Sequence, residues 1–532
     1  MRRRPCGGAP PVTTPRGSMA SAFPKYRPSQ PPPRDAWYWA AVLLAFVATL
    51  PPLLTLYPMM TDYPAHLARW HVMLERGTNP VLDGYYGFRW AWSGNLGADL
   101  LIFPLAALFG LETGGKIILV MIPLLTGLGL ISVERALRGR VGIGTLLAMG
   151  TIWSPALLMG FMNFTLSLAL VLFAFAFWVR SEGKKWRGAA FVPIGLIIWL
   201  CHQSGWGVLG VMVFAYECHR LHVAGHSRFE SIWRAVLATV PLWLPIVPTI
   251  LAGQQAPASF SYGRRALLSK WIFWKTALRD QRGYLDVATV CLFVALPVLA
   301  LFTKKLDGRL AWSALLIAML ALVVPRHLGG GDYADYRLVA VAIMLGLLSI
   351  DFRPPAFSMA LAAGPFLIRI AVTTLAWKSH SLATAEMVKA LDLVPRGARV
   401  AYAFEEVSGL WPIPPNGHIG SYATVRRDAL TNCNFAIPGV HMLQVKAPGW
   451  SYADPSQRYL LRKQQRVDLK NFAPAYKADF LWYYGARPPV GMPEGAQVIF
   501  RTQNTFLARM HHPEPVLPEP EAPPVPAVKA AK

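Results

Sequence analysis

The chain has 532 residues, of which 54% are hydrophobic and only 15% are charged, and its mean hydropathy is positive. Soluble domains carry more charge and less apolar content, and many apolar runs of roughly 16–22 residues point to a polytopic helical membrane protein, not a β-barrel. The formal net charge of +24 falls largely in short clusters between apolar spans, which marks membrane topology and excludes a nucleic-acid footprint.

Residues 1–35 are rich in Pro, Arg and Ser without apolar period and read as a disordered, basic cytoplasmic tail. A transmembrane bundle is expected over 36–378. Its first span runs from Trp37 to about Leu56 and is too long for a signal peptide. The first external loop, 58–113, follows. Its 98–111 stretch is about 14 residues long and holds Pro104, too short for a crossing, and reads as a juxtamembrane or re-entrant helix. Spans at 116–132, 141–158 and 162–179 come next, and the 188–218 run divides into two short helices near His202. Spans at 234–252, 286–303, 309–326, 338–350 and 357–376 complete about eleven crossings. Basic clusters at Arg135/Arg138/Arg140, Arg180/Lys184/Lys185/Arg187, Arg220/Arg228/Arg234, Lys304/Lys305/Arg309 and Arg353 are then separated by even numbers of crossings. All five share the cytoplasmic face with the N-terminus.

Residues 379–511 form the last folded unit, a small α+β domain outside the membrane. It opens with an amphipathic, interfacial helix over 380–393. Strands are expected at Ala398–Phe404, Tyr422–Val425, Gln497–Phe500 and Thr505–Arg509, with the Trp482–Tyr484 cluster in the same unit. The Pro/Glu/Ala-rich tail 512–532 reads as disordered. Cys6, Cys201, Cys218, Cys291 and Cys433 show neither a disulfide framework nor zinc spacing.

The most informative stretch is Tyr57–Trp70, at the exit of the first span. Tyr63 precedes Pro64 and is pushed from the α region, while Pro64 suits the first turn of a new helix. Asp62 therefore sits at a turn, and His66 and Arg69, three apart, share one helical face. Either this is chemistry at a membrane surface, or Asp62 caps the helix, His66 packs and Arg69 meets headgroups. The same topology brings Asn163, His202, Asp332, Asp335 and Arg337 to this face, together with His327 and the external loop 253–285 carrying Arg264, Arg265 and Lys270. Each has a plain alternative: Asn163 as a cap, His202 as a satisfied histidine, the aspartates as solvated loop acids, Arg337 as a snorkelling cation. Gly329–Gly331 follows no strand and lacks a Walker lysine. Asp62, Asp332 and Asp335 offer a divalent cation at most a weak oxygen site.

This arrangement resembles the C-type (GT-C) glycosyltransferases, polytopic enzymes that take sugars from polyprenyl-phosphate carriers at the outer membrane face. The Asp62-Tyr-Pro-Ala-His66-Leu-Ala-Arg69 sequence looks like the Asp-x-Pro-x-His-Leu-Ala-Arg pattern of a poorly characterised bacterial branch of such proteins. Trp377 and the Val394-Pro-Arg-Gly-Ala-Arg turn are similar too. Many members of the class carry an acidic pair in this loop, whereas here Tyr63 follows Asp62. The resemblance implies residence in the cell (inner) membrane, with a lipid-linked sugar donor and membrane lipids as partners. It also implies an envelope acceptor, no nucleic acid and a possible divalent cation. Asp62 would be the base, with His66 beside it, and His66, Arg69 and Arg337 would meet the carrier phosphate. The competing readings are a noncatalytic envelope or assembly protein and a transporter of lipid-linked substrates; spans nearly free of acids count against proton-coupled transport.

Overall fold

The computed structural model describes residues 35–253, 260–328, 331–405, 411, 413–436, 441–447, 450 and 467–511. The two tails, 1–34 and 512–532, and Gly329–Gly330 lie outside the described residues. Among these residues, four helices are long and apolar enough to cross a membrane: Leu111–Arg138, Met162–Arg180, Gly283–Phe302 and Ala356–Leu393. Helices Ala36–Val47, Gly97–Phe109, Arg187–Cys201 and Gly308–Val323 are apolar but shorter, so the eleven expected crossings reduce to this coarser description.

Breaks in the helices follow the residues. Residues 141–158 fold as Ile143–Ala148, a 3₁₀ turn at Met149–Thr151, and Pro155–Met159, not as one span. The expected span 234–252 is likewise divided, into Arg228–Thr239, a 3₁₀ turn and Ile246–Gly253. Pro155, Pro241 and Pro245 lack a backbone donor, and the helical runs break beside them. The division near His202 matches expectation, with His202 extended between Arg187–Cys201 and Gln203–Val223. By contrast, the last span and the helix expected over 380–393 form one continuous rod from Gly364 to Val388, ending in a 3₁₀ turn.

The long Leu111–Arg138 helix is the bundle's axis. A Cβ on Gly127 would come within 2.7 Å of Ala45, and one on Gly129 within 2.7 Å of Leu172. Small residues let these helices approach closely where apolar surroundings supply no hydrophobic drive. At its far end the buried Glu134 carboxylate accepts from Arg138 (2.9 Å) and from the Gly142 backbone N–H (3.0 Å). Arg138 also donates to the Leu348 carbonyl at 3.0 Å. This end of the bundle is thus tied by a satisfied ionic knot.

The C-terminal unit is built on a five-stranded sheet in the spatial order Leu430–Thr431, Arg399–Phe404, Phe480–Tyr484, Thr505–Met510, Ala496–Arg501. The first three strands run parallel and the last two pair antiparallel, with a bulge between Val498 and Phe500. The expected strand at Tyr422–Val425 is instead part of the helix Ser421–Arg427. Its β-branched and aromatic residues serve packing there: Tyr422, Ala423 and Thr424 are buried, and tertiary burial overrides strand propensity.

This unit is bound to the first loop at several points. Tyr86–Phe88 pairs antiparallel with Leu443–Val445, and Glu112 accepts from Arg426 at 3.0 Å. His71 meets Asp428 at 2.7 Å, and Thr61 donates to the Pro414 carbonyl at 2.8 Å. The helix Tyr63–Glu75 is therefore held between the Leu111–Arg138 helix of the bundle and the Ser421–Arg427 helix of the C-terminal unit.

Candidate functional site

Asp62 occupies the N-cap position of Tyr63–Glu75, with Pro64 in the first turn, but its side chain makes no capping hydrogen bond. Its backbone is fixed from both sides. The Asp62 N–H donates to the Met159 carbonyl (3.1 Å), and its carbonyl accepts from the His66 N–H (3.0 Å). Gly160 lies directly against it at φ +102°, where a Cβ would fall 2.7 Å from the Asp62 Cβ. Only glycine fits both the left-handed backbone and this contact. The site therefore depends on two turns meeting, one before Pro64 and one after Met159.

The carboxylate itself stays free of direct hydrogen bonds among the described residues. The nearest titratable partner is His418, with Nε2 3.9 Å from Oδ1; 17% of the Asp62 side chain remains exposed. The His418 Nδ1 lies against the Cys433 carbonyl at 2.5 Å. A carbonyl only accepts, so Nδ1 carries a proton and Nε2 is the atom turned to Asp62. Burial pushes the Asp62 carboxyl up to about 7, with the Arg337 guanidinium partly opposing it. A carboxyl in that range can take and release a proton at neutral pH.

His66 is a different kind of group. Its Nε2 lies 3.0 Å from the Gly160 carbonyl, which leaves Nδ1 to accept from Arg69 Nη2 at 3.3 Å. Burial, and then the Arg69 charge, lower it to about 3, so it is neutral at physiological pH. His441 is likewise lowered to about 4 by burial. Phe435 packs between them, its ring centroid 4.2 Å from that of His418 and 5.5 Å from that of His441.

Arg69 and Asn163 are spent on internal structure. Arg69 donates to Asp99 at 2.5 Å, and Trp70 Nε1 shares the same oxygen at 2.7 Å. Asn163 Oδ1 accepts from the Ala98 N–H (2.6 Å), while its Nδ2 donates to the Asn95 carbonyl (2.7 Å) and to Asp99 (3.3 Å). Asp99 is fully buried. It is the hub that fixes Gly97–Phe109 against the Asp62 helix.

Arg337 is supplied by the helix Ala334–Leu348. Its Nη1 meets His202 Nε2 at 3.0 Å, its Nη2 donates to the Asp332 carbonyl at 3.0 Å, and it lies 4.1 Å over the Phe161 ring. Its Nε is buried without a hydrogen-bond partner. A cavity beneath it, shared with Phe164, Thr165 and Ser154, measures about 10 Å³, room for one water at most. Asp332 is paired with Arg326 at 3.0 Å, and His327 stands 3.3 Å from the same carboxylate. Asp335 is buried against Lys270 at 2.5 Å, and Lys270 also donates to the Ala321 carbonyl at 2.9 Å. Arg264 and Arg265 are exposed.

The structure thus brings Asp62, His66, His202 and Arg337 to one locality and commits Arg69, Asn163, Asp332 and Asp335 to other bonds. Among the described residues, no group of three or more His, Cys, Asp or Glu side chains is placed to hold a metal ion. The weak oxygen site suggested for three aspartates does not assemble, since two of them are neutralised by Arg326 and Lys270. Sequence reasoning missed Gly160, Asp99, His418 and His441. Asp99 carried a usable signal, a lone acid in an apolar run; His418, in Asn416-Gly-His-Ile-Gly420, carried only its flanking glycines. No protein-family model matches the sequence, and no curated protein is significantly similar to it.

Proposed function

We propose that this chain is a membrane glycosyltransferase that moves a sugar from a polyprenyl-phosphate carrier to an envelope acceptor, with Asp62 as the general base. On this reading the Asp62 locality lies at the outer face of the inner membrane, with the five basic clusters inside and the sheet domain outside. One observation carries it: the carboxyl at the N-cap caps nothing, is pushed up to about 7, and is flanked by His418 and Arg337. A structural aspartate at an N-cap would instead accept backbone hydrogen bonds.

The chemistry follows from those groups. Asp62 removes the acceptor hydroxyl proton as that oxygen bonds to the sugar's anomeric carbon. The bond from that carbon to the carrier phosphate breaks, and the phosphate leaves with the electron pair. Arg337 is the cation facing the developing phosphate charge. His418, with Nε2 towards Asp62, takes the proton onward. His66 is neutral and orients the turn through Gly160, a positioning role in place of the catalytic one expected for it.

A second reading has its own support: Arg69, Asn163 and Asp335 bond to buried partners that hold the fold, as in a noncatalytic assembly protein. Asp62→Asn separates the two. In membranes supplied with a radiolabelled polyprenyl-phosphate sugar, the variant is expected to retain wild-type expression and to melt no lower than wild type while losing transfer at least a hundredfold. Wild-type-like transfer by the variant would sink the base assignment, and no transfer by the wild-type chain with any such donor would favour the assembly role.

A further inference from the structure

The helix that begins at Asp62 ends at Arg76, about 20 Å away at 1.5 Å per residue, and a second polar pocket lies at that end. It is built on the ribbon Tyr86–Phe88/Leu443–Val445, in which Gly87 is opposite Gln444. Hydrogen bonds extend the pairing: the Arg89 N–H donates to the Met442 carbonyl and the Lys446 N–H to the Tyr85 carbonyl, both at 2.9 Å. Side chains alternate across a ribbon, so Arg89, Gln444 and Lys446 fall on the face of Gly87. Gly87 contributes no side chain, and the gap it leaves is the pocket floor. Arg76 and Trp90 supply walls, and the cavity measures about 400 Å³, within the range of small-molecule sites.

The lining is cationic. Arg76, Arg89 and Lys446 stand against a single carboxylate, Asp83, a balance of three minus one, or +2. Asp83 is partly occupied by the Gly77 N–H at 2.9 Å, and Lys446 Nζ donates to the Asp83 carbonyl at 2.5 Å. Among the described residues neither the Arg76 nor the Arg89 guanidinium has an ion-pair or hydrogen-bond partner. A guanidinium group matches the oxygens of a phosphate.

The pocket continues into an apolar surface. Trp90 stacks on Phe103 with centroids 5.9 Å apart and planes at 27°. Phe103 belongs to Gly97–Phe109, whose exposed residues include Leu100, Phe103, Pro104, Ala107 and Leu108. That spacing is a single helical stripe. A cationic pocket joined through a tryptophan to an exposed apolar stripe fits a molecule with an anionic head and a hydrocarbon tail. We propose that this pocket binds the phosphate headgroup of a membrane lipid, with Arg76 and Arg89 on the phosphate and the acyl chain along Leu100–Leu108. The site is separate from Asp62 and does not depend on its role.

Native mass spectrometry of the full chain in detergent tests this, with phosphatidylglycerol, phosphatidylcholine and inorganic phosphate as three separate titrations. The wild type should hold one phosphatidylglycerol at least tenfold more tightly than phosphatidylcholine. Arg76→Gln/Arg89→Gln should remove that preference, and Phe103→Ser should weaken lipid binding severalfold by interrupting the stripe. An unchanged preference in the double variant overturns the proposal. Inorganic phosphate binding that needs both arginines, with Phe103→Ser without effect on phosphatidylglycerol, overturns the lipid as source. As a check independent of the variants, phosphatidylglycerol with a photoreactive headgroup should crosslink to the peptide containing 86–92; crosslinking confined to other segments also overturns it.

Discussion

Asp62 is the residue on which the functional reading turns, and its ionisation can be followed in two ways. As a base it must be charged, so transfer should fall about tenfold per pH unit below about 7 and level off above it. Stability should move the opposite way. The folded-state pKa lies above the ordinary carboxyl value of 3.8, so the folded protein binds more protons, and stability is lost as pH rises through that window to about 7. Asp62→Asn removes the buried charge; its melting temperature should match wild type near pH 4 and exceed it above pH 7. Melting curves that shift in parallel at every pH would contradict the buried-carboxyl assignment. The neighbouring Gly160→Ala should destabilise by about 1–2 kcal/mol for the left-handed backbone alone and, by displacing Asp62, should lower transfer more than it lowers melting temperature.

Among the elements, the Tyr63–Glu75 helix shows what the sequence revealed and what it could not. Its start was legible because Pro64 suits a first turn, although Tyr63, expected outside the α region before a proline, is the helix's first residue; the His66/Arg69 face followed from helical spacing. The partners were not legible, because Asp99 and Asn163 come from other segments and reach Arg69 and the Gly97–Phe109 helix only through tertiary folding. The same reason explains why Arg69 looked like a headgroup or phosphate contact and is instead half of a buried ion pair, its side chain 5% exposed against 0% for Asp99. Arg69→Met should cost about 3–5 kcal/mol, since it strands the Asp99 carboxylate in the core. Arg69→Met/Asp99→Leu should cost less than the sum of its two single changes. Thermal unfolding of the four proteins in one detergent measures the coupling; additivity within about 0.5 kcal/mol would mean that the pair does not interact.

For the whole molecule, composition made the apolar helical character legible and strand-like runs pointed to the C-terminal sheet, whereas span boundaries were blurred wherever prolines divide apolar runs. Hydropathy averages over such breaks, so 141–158 and 234–252 read as single crossings although the chain bends inside each. Orientation then rests on the basic clusters, and the fold supplies surface positions at which to test it. Thr78 and Glu494 are exposed on the first loop and the C-terminal unit, and Lys185 and Lys304 are exposed in two of the basic turns. Single cysteines at these four sites, in a background with the five native cysteines replaced, should fall into two classes. A membrane-impermeant maleimide applied to intact spheroplasts should label Thr78→Cys and Glu494→Cys. Lys185→Cys and Lys304→Cys should react only after permeabilisation. The first loop is paired to the C-terminal unit through Tyr86–Phe88 and Leu443–Val445, so Thr78→Cys and Glu494→Cys must label together in either orientation. Labelling of the lysine sites alone in intact cells would invert the topology and move Asp62 to the cytoplasmic face, where a donor presented outside could not reach it.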